Sequence, residues 1–158
     1  MQPSHDEEHP LRILLVEDND DHALIVMRNL KKESFVHKVD RVSDGVQALQ
    51  YLRGLTPYQS REKPDIILLD LKLPRLDGHE VLSEVKDDAK LRKIPIIVLT
   101  TSDAEVDKLK AYDLHANSYL VKPLQAEDLK KMVESMATYW GIWNRNISKP
   151  EASPEKEH

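Results

Sequence analysis

The sequence predicts a doubly wound α/β domain built on a parallel sheet. Five short apolar segments alternate along the chain with five longer segments of helical spacing, and such alternation is typical of βαβ units. The strongest of the short segments are apolar at every position, as in strands that helices cover on both faces. Right-handed crossovers between such strands place helices on both sides of the sheet.

The first strand is predicted at residues 13–16, where an apolar run precedes a run of acids. Asn19 or Asp20 can cap the helix that follows, because short polar side chains accept hydrogen bonds from the free N–H groups of a first helical turn. Residues 38–42 predict a second, more polar strand at a sheet edge. The apolar positions of the first helix keep a helical spacing: Ala23, Leu24, Met27 and Leu30.

The middle of the chain contains the second helix and the most apolar strand. Ser43 is predicted to cap this helix, and Gly54 is predicted to end it. A loop over residues 55–63 leads to a strand at residues 66–69, and Asp77 is predicted to cap the third helix. The predicted inward positions of these two helices are Val46, Ala48, Leu49, Leu52, Val81, Leu82 and Val85.

The last third of the chain predicts two further strands, at residues 96–99 and 118–121. Between them, Ser102 and Glu105 have the spacing of a capping box at the start of the fourth helix. The predicted apolar stripe of the fourth helix is Val106, Leu109 and Tyr112. The predicted stripe of the fifth helix is Leu129, Met132, Val133, Met136, Tyr139 or Trp140, and Trp143.

The composition predicts one cytoplasmic domain, over residues 11–145, between disordered polar tails at residues 1–10 and 146–158. Cysteine is absent, which excludes disulfides, thiol catalysis and thiolate zinc sites. The net charge is -5 and no basic run is present, so nucleic acid is not an expected partner. No apolar run has the length of a membrane span or of a signal-peptide core.

Charged and hydroxyl side chains follow four of the predicted strands. Glu17 and Asp18 follow the first, Asp70 the third, Thr100 the fourth and Lys122 the fifth. Because parallel α/β sheets bind ligands at the carboxyl ends of their strands, these side chains are predicted to face one crevice. Clustered carboxylates favour a hard divalent cation such as Mg²⁺, and an ammonium beside them suits phosphoryl transfer. Asp70 is the predicted nucleophile.

These motifs resemble the receiver domains of two-component response regulators. The resemblance covers roughly residues 11–140. It rests on Glu17 and Asp18, on the run from Leu69 to Pro74, on Asp77 and Gly78, on Thr100, and on Lys122 with Pro123. It implies a flavodoxin-like three-layer sandwich of five βα units with strand order 2-1-3-4-5.

The resemblance also implies roles for individual residues. Asp70 is expected to accept a phosphoryl group from the histidine of a sensor kinase, and Lys122 to contact that group. Thr100 and Tyr119 are expected to form the conformational switch, and the Lys122–Pro123 peptide is often cis in this family. The expected Mg²⁺ ligands are Glu17, Asp18, Asp70 and the backbone carbonyl of Lys72.

Two residues depart from the family pattern, and other features indicate a subfamily. Thr101 is bulkier than the usual residue after the switch hydroxyl, and His115 replaces a glycine that commonly ends the fourth helix. The long loop at residues 55–63, the pair Thr100 and Thr101, and the sequence 138–140 resemble the stand-alone receivers that serve bacterial and cyanobacterial phytochrome kinases. Output is then expected through protein contacts or phosphate relay.

A homodimer is predicted through the fourth helix, the fifth strand and the fifth helix. In the family, this face responds to the switch residues. Aromatic side chains are favoured at interface cores. The chain concentrates them in its last third, as Tyr112, Tyr119, Tyr139, Trp140 and Trp143.

The sequence also bears on three other function classes. A magnesium phosphohydrolase of the haloacid dehalogenase type needs a second acid two residues after its aspartate, where this chain has Lys72. A dinucleotide enzyme needs a glycine-rich turn after the first strand, and none of the four glycines provides one. A receiver-like module that binds without phosphorylation remains an alternative, although the complete set of acids, Thr100 and Lys122 argues against it.

Overall fold

A computed structural model describes the backbone of residues 11–148 and the side chains of residues 11–36 and 38–140. The strands are β1 (Leu11–Val16), β2 (Val36–Val42), β3 (Ile66–Leu69), β4 (Ile96–Thr100) and β5 (Ser118–Val121). The helices are α1 (Asp20–Lys31), α2 (Gly45–Arg53), α3 (Gly78–Asp87), α4 (Glu105–Asp113) and α5 (Ala126–Ser148). The predicted boundary at residue 145 falls within α5, and the remainder of the predicted tails lies outside the described residues.

All five strands form one parallel sheet in the order β2-β1-β3-β4-β5. This confirms the predicted doubly wound fold and its strand order. The central strand β3 is buried at every position, which explains why its sequence is apolar throughout. Because every strand runs in the same direction, the five carboxyl ends meet along one edge of the sheet.

Two hydrophobic cores cover the two faces of the sheet. The alternating side chains of β3 divide between them: Ile67 and Leu69 face one core, and Ile66 and Leu68 face the other. Helices α2 and α3, with Ala111 of α4, pack on the first face. Helices α1 and α5 pack on the second. The result is the predicted three-layer sandwich.

Side chains cap three of the helices, and one cap differs from the prediction. Asn19 accepts a hydrogen bond from the His22 N–H at the start of α1. Asp77 and Glu80 form a full capping box on α3. The prediction of Ser43 as the cap of α2 is wrong, because Asp44 accepts the hydrogen bond from the Gln47 N–H. Ser43 instead bonds the side chain of Gln47.

Helix α4 differs most from its prediction. Its first flanking residue is Ala104, which provides no side-chain cap, and Ser102 donates its hydroxyl hydrogen to Asp107 instead. The predicted capping box of Ser102 and Glu105 is therefore wrong. The predicted apolar stripe has helical spacing but faces solvent, with exposed fractions of 69% for Val106, 57% for Leu109 and 51% for Tyr112.

Two backbone features bear on the resemblance. His115 has a φ of 71°, so it adopts the left-handed conformation for which the family commonly uses glycine. The cis peptide bond in the described part of the chain joins Thr56 and Pro57. The Lys122–Pro123 peptide is not cis, which differs from the form that is often found in the family.

Candidate functional site

Backbone contacts at the end of β3 fix the position of Asp70. The Asp70 N–H donates to the Val16 carbonyl over 3.0 Å, which continues the ladder between β3 and β1. The Gly78 N–H donates to the Leu71 carbonyl over 2.8 Å. A Cβ atom on Gly78 would lie 2.4 Å from the Asp70 carbonyl oxygen, so only glycine lets α3 approach this strand end so closely. The Asp70 side chain is thereby held at the sheet edge and is largely buried.

Three carboxylates meet beside this strand end. Glu17, Asp18 and Asp70 each offer an oxygen atom, and these atoms lie within 4.8 Å of one another. Glu17 and Asp70 are buried, whereas Asp18 is exposed. Carboxylates this close repel one another unless a cation lies among them, and oxygen ligands suit a hard divalent ion. The predicted acidic cluster is thus assembled by the fold.

Glu17 uses both of its carboxylate oxygens within the protein. Oε1 accepts a hydrogen bond from Lys122 over 2.7 Å, and Oε2 accepts one from the Asn19 N–H over 3.2 Å. Burial, together with repulsion from Asp70, raises the pKa of Glu17 to about 7, although the hydrogen bond from Lys122 opposes the rise. A bound cation would favour the ionised form of this carboxyl group.

Lys122 lies at the centre of the site. Its side chain is 1% exposed, and its Nζ is 2.7 Å from Glu17 Oε1 and 3.1 Å from Asp70 Oδ2. Its N–H donates to the Thr100 carbonyl over 2.6 Å, which fixes Lys122 at the end of β5 beside β4. A buried ammonium is stable only when it is well paired, and the two carboxylates supply that pairing.

The remaining predicted residues lie at the same strand edge. Thr100 is fully buried, and its Oγ1 accepts from the Ser102 N–H over 3.4 Å. The Tyr119 hydroxyl donates to the Ser102 carbonyl over 2.9 Å, so both switch candidates bond the same loop residue. The Lys72 N–H donates to Asp70 Oδ1 over 3.3 Å. Thr101, the residue that departs from the family pattern, is exposed.

Two residues that the sequence did not reveal complete the site. His22 Nδ1 lies 2.8 Å from Lys122 Nζ. Arg41, at the end of β2, donates from Nε to the Glu17 carbonyl over 2.8 Å and pairs with Asp20 over 2.8 Å. Arg41 thus anchors the loop between β1 and α1. The cap at Asn19 is the signal that could have placed His22 in the first turn of α1, near the strand ends.

The family model described as the response regulator receiver domain matches residues 13–134 of the chain. The chain belongs to the response regulator receiver family. This confirms the resemblance and, with it, the predicted role as a phosphoacceptor in two-component signalling. In the described part of the receiver, no helix is both long enough and apolar enough to cross a membrane.

Two relatives are similar to the receiver over most of their own length. It is 50% identical to the probable methanogenesis regulatory protein FilR2 of Methanothrix harundinacea, over 88% of this chain and 89% of that protein. It is 41% identical to response regulator Rcp1 of Synechocystis, over 85% and 92% of the two chains.

Two solved structures of response regulators are similar to this chain. The phosphorylated cyanobacterial phytochrome response regulator RcpA matches with a TM-score of 0.80 and 40% identity, over 83% of this chain and 94% of that one. The Mn²⁺-bound form of Rcp1 matches with the same TM-score and 41% identity, again over 83% and 94% of the two chains. Together with the acidic cluster, the latter supports divalent cation binding by this receiver.

Proposed function

We propose that the receiver accepts a phosphoryl group on Asp70 from a phytochrome-type sensor histidine kinase, with Mg²⁺ as its cofactor. One observation carries this proposal: the Asp70 carboxylate lies 3.1 Å from the buried Lys122 ammonium and within the cluster of acids. The unit proposed for this role is a cytoplasmic domain over residues 11–145, which signals through protein contacts.

The oxygen atoms at the site suit Mg²⁺ in an arrangement where Asp18 and Asp70 are direct ligands. Asp18 is exposed and can turn towards an ion, and the Lys72 carbonyl is the proposed backbone ligand. Glu17 is better suited to act through water, because Lys122 and the Asn19 N–H already occupy its two oxygens. When bound, the cation neutralises the acids and stabilises charge on the phosphoryl oxygens.

The proposed reaction is an in-line transfer from phosphohistidine. An Asp70 carboxylate oxygen attacks the phosphorus atom, the bond from phosphorus to the kinase imidazole nitrogen breaks, and that nitrogen keeps the electron pair. Lys122 is proposed to stabilise an equatorial phosphoryl oxygen. The Thr100 hydroxyl is the proposed second contact, and Tyr119 is proposed to respond to its movement.

The phytochrome assignment is supported by the similarity to RcpA. FilR2 is more similar to this chain than RcpA is, with 50% against 40% identity, and its name refers to methanogenesis. The alternative is therefore a kinase of another sensory class. We expect phosphotransfer from a bacterial phytochrome kinase to be at least about tenfold faster than from unrelated kinases, a difference of ~1.4 kcal/mol in activation free energy.

The measurement uses equal concentrations of purified, autophosphorylated kinases and follows the loss of kinase label in the first seconds. Equal rates from all kinases, or faster transfer from a kinase of another class, would reject the phytochrome assignment. Binding of the kinases without labelling from any donor, including an acyl phosphate, would favour the phosphorylation-independent module.

A homodimer through α4, β5 and α5 is the proposed assembly. Val106, Leu109 and Tyr112 form an exposed apolar row on α4, and Tyr139 of α5 is 64% exposed. Trp140, which the sequence suggested for this surface, is buried in the core beneath α5. Trp143 lies outside the described side chains. The proposed dimer is therefore supported mainly by the exposed apolar row of α4 and less by the aromatic residues of α5.

Sedimentation velocity at several concentrations tests the dimer. We expect the parent to associate at tens of micromolar and Leu109→Lys to remain monomeric, because a charge would be buried at the interface core. The matched control is Leu55→Lys, since Leu55 is also apolar and exposed but lies outside this face. A parent that stays monomeric would refute the assembly, as would a Leu109→Lys variant that dimerises like the control.

A further inference from the structure

We propose that His22 is a positioning residue, which holds the Lys122 ammonium at Asp70 by accepting a hydrogen bond at Nδ1. The inference rests on the proposed phosphoryl transfer and adds to it a residue outside the motifs that define the site. His22 Nδ1 and Lys122 Nζ lie 2.8 Å apart, the distance of a well-formed hydrogen bond.

The Lys122 ammonium has three N–H groups, and the structure supplies three acceptors for them. Two are the carboxylate oxygens of Glu17 and Asp70, at 2.7 and 3.1 Å. The third is His22 Nδ1. Because the lysine side chain is 1% exposed, water cannot readily replace a lost partner. Each acceptor therefore helps to determine where the ammonium points.

The position of His22 is fixed independently of Lys122. Its backbone N–H donates to the Asn19 side chain over 2.9 Å, which places the imidazole in the first turn of α1. Arg41 holds the preceding loop through the Glu17 carbonyl and Asp20. The imidazole thus projects from an anchored helix start towards the end of β5.

The contact requires a neutral imidazole with its proton on Nε2, since only an unprotonated Nδ1 accepts from an ammonium. The surroundings favour the neutral form. Burial and the adjacent Lys122 charge lower the pKa of His22, while Asp70, Asp21 and Asp18 partly oppose this. The geometry and the charge of the site are therefore consistent with one another.

Loss of this acceptor would leave one ammonium N–H without a partner beside Glu17. Glu17 already has the shortest of the three contacts, so the ammonium is expected to move towards it and away from Asp70. Lys122 would then be displaced from the place where the phosphoryl oxygens develop charge, and phosphorylation would slow.

Labelling by an acyl phosphate tests this in three variants of the full chain. We expect His22→Leu to be phosphorylated about tenfold more slowly than the parent, the size expected for one hydrogen bond to a charged group. We expect His22→Asn to restore most of the rate, because Asn Oδ1 occupies nearly the same place as His Nδ1. The control His115→Asn should match the parent, since His115 is exposed beyond the C-terminal end of α4 and asparagine tolerates its left-handed backbone.

Equal rates for His22→Leu and the parent would overturn the inference, and so would an equally slow His22→Asn, which would indicate that only the imidazole shape matters. Thermal unfolding of each variant separates a loss of folding from a loss of rate.

Nitrogen-15 NMR of the unphosphorylated parent gives a readout that needs no phosphoryl donor. We expect the neutral His22 tautomer with an unprotonated Nδ1. A proton on Nδ1 would reject the contact even if Asp70 proved not to be the phosphoacceptor.

Discussion

Replacement of Asp70 by asparagine is expected to abolish phosphorylation by both a sensor kinase and an acyl phosphate. The change keeps the size of the side chain and removes the nucleophilic carboxylate, while Lys122 retains an oxygen acceptor at the same place. Mass spectrometry of the intact protein after incubation with Mg²⁺ and acyl phosphate measures the loss directly.

The matched control for this change is Asp113→Asn, which removes one carboxylate from the exposed end of α4. We expect the control to be labelled at the rate of the parent. Labelling of Asp70→Asn at the parental rate would show that another residue accepts the phosphoryl group, and the assignment of the site would then be wrong.

Removal of the divalent cation is expected to have a comparable effect. A chelator should stop labelling, and Asp18→Ala should weaken Mg²⁺ binding by at least about a hundredfold, because Asp18 is the accessible carboxylate of the cluster. Isothermal titration calorimetry measures binding separately from phosphorylation.

Asp21→Ala is the control for this prediction, since it removes the same charge from an exposed position three residues along the chain. It should bind Mg²⁺ almost as the parent does. If Asp18→Ala retained parental affinity and parental labelling, Asp18 would not be a ligand. The two variants therefore separate a specific ligand from the general negative charge of this loop.

The sequence predicted the sheet and the strand-end residues because both depend on simple geometry. A buried parallel strand is apolar throughout, as in β3, and parallel strands bring their last residues to one edge. Asp70 and Lys122 are 52 positions apart in the chain, yet both follow parallel strands, which is enough to place them at the same edge.

Other features depend on choices that a local pattern does not contain. Ser43 and Asp44 are both good helix caps, and the local sequence does not decide between them; in the structure Asp44 caps α2 and also pairs with Arg75 from the loop after β3. The stripe on α4 has the period of a core-facing helix, but periodicity does not say whether a neighbour covers it. Nothing in the sequence around His22 marks it as a site residue, and only the fold brings the first turn of α1 close to Lys122, which follows β5.

The loose attachment of α4 links the order of this helix to association. The helix buries only Ala111 and has no side-chain cap, although helices depend mainly on tertiary packing for their stability. A partner that covered Val106, Leu109 and Tyr112 would supply the packing that the monomer lacks. Order in α4 and association would then be thermodynamically coupled, so each would favour the other by the same free energy. A change at Thr100 that ordered α4 would therefore strengthen association. The monomer would remain the more dynamic species, with amide hydrogens of α4 exchanging ahead of those of the central sheet.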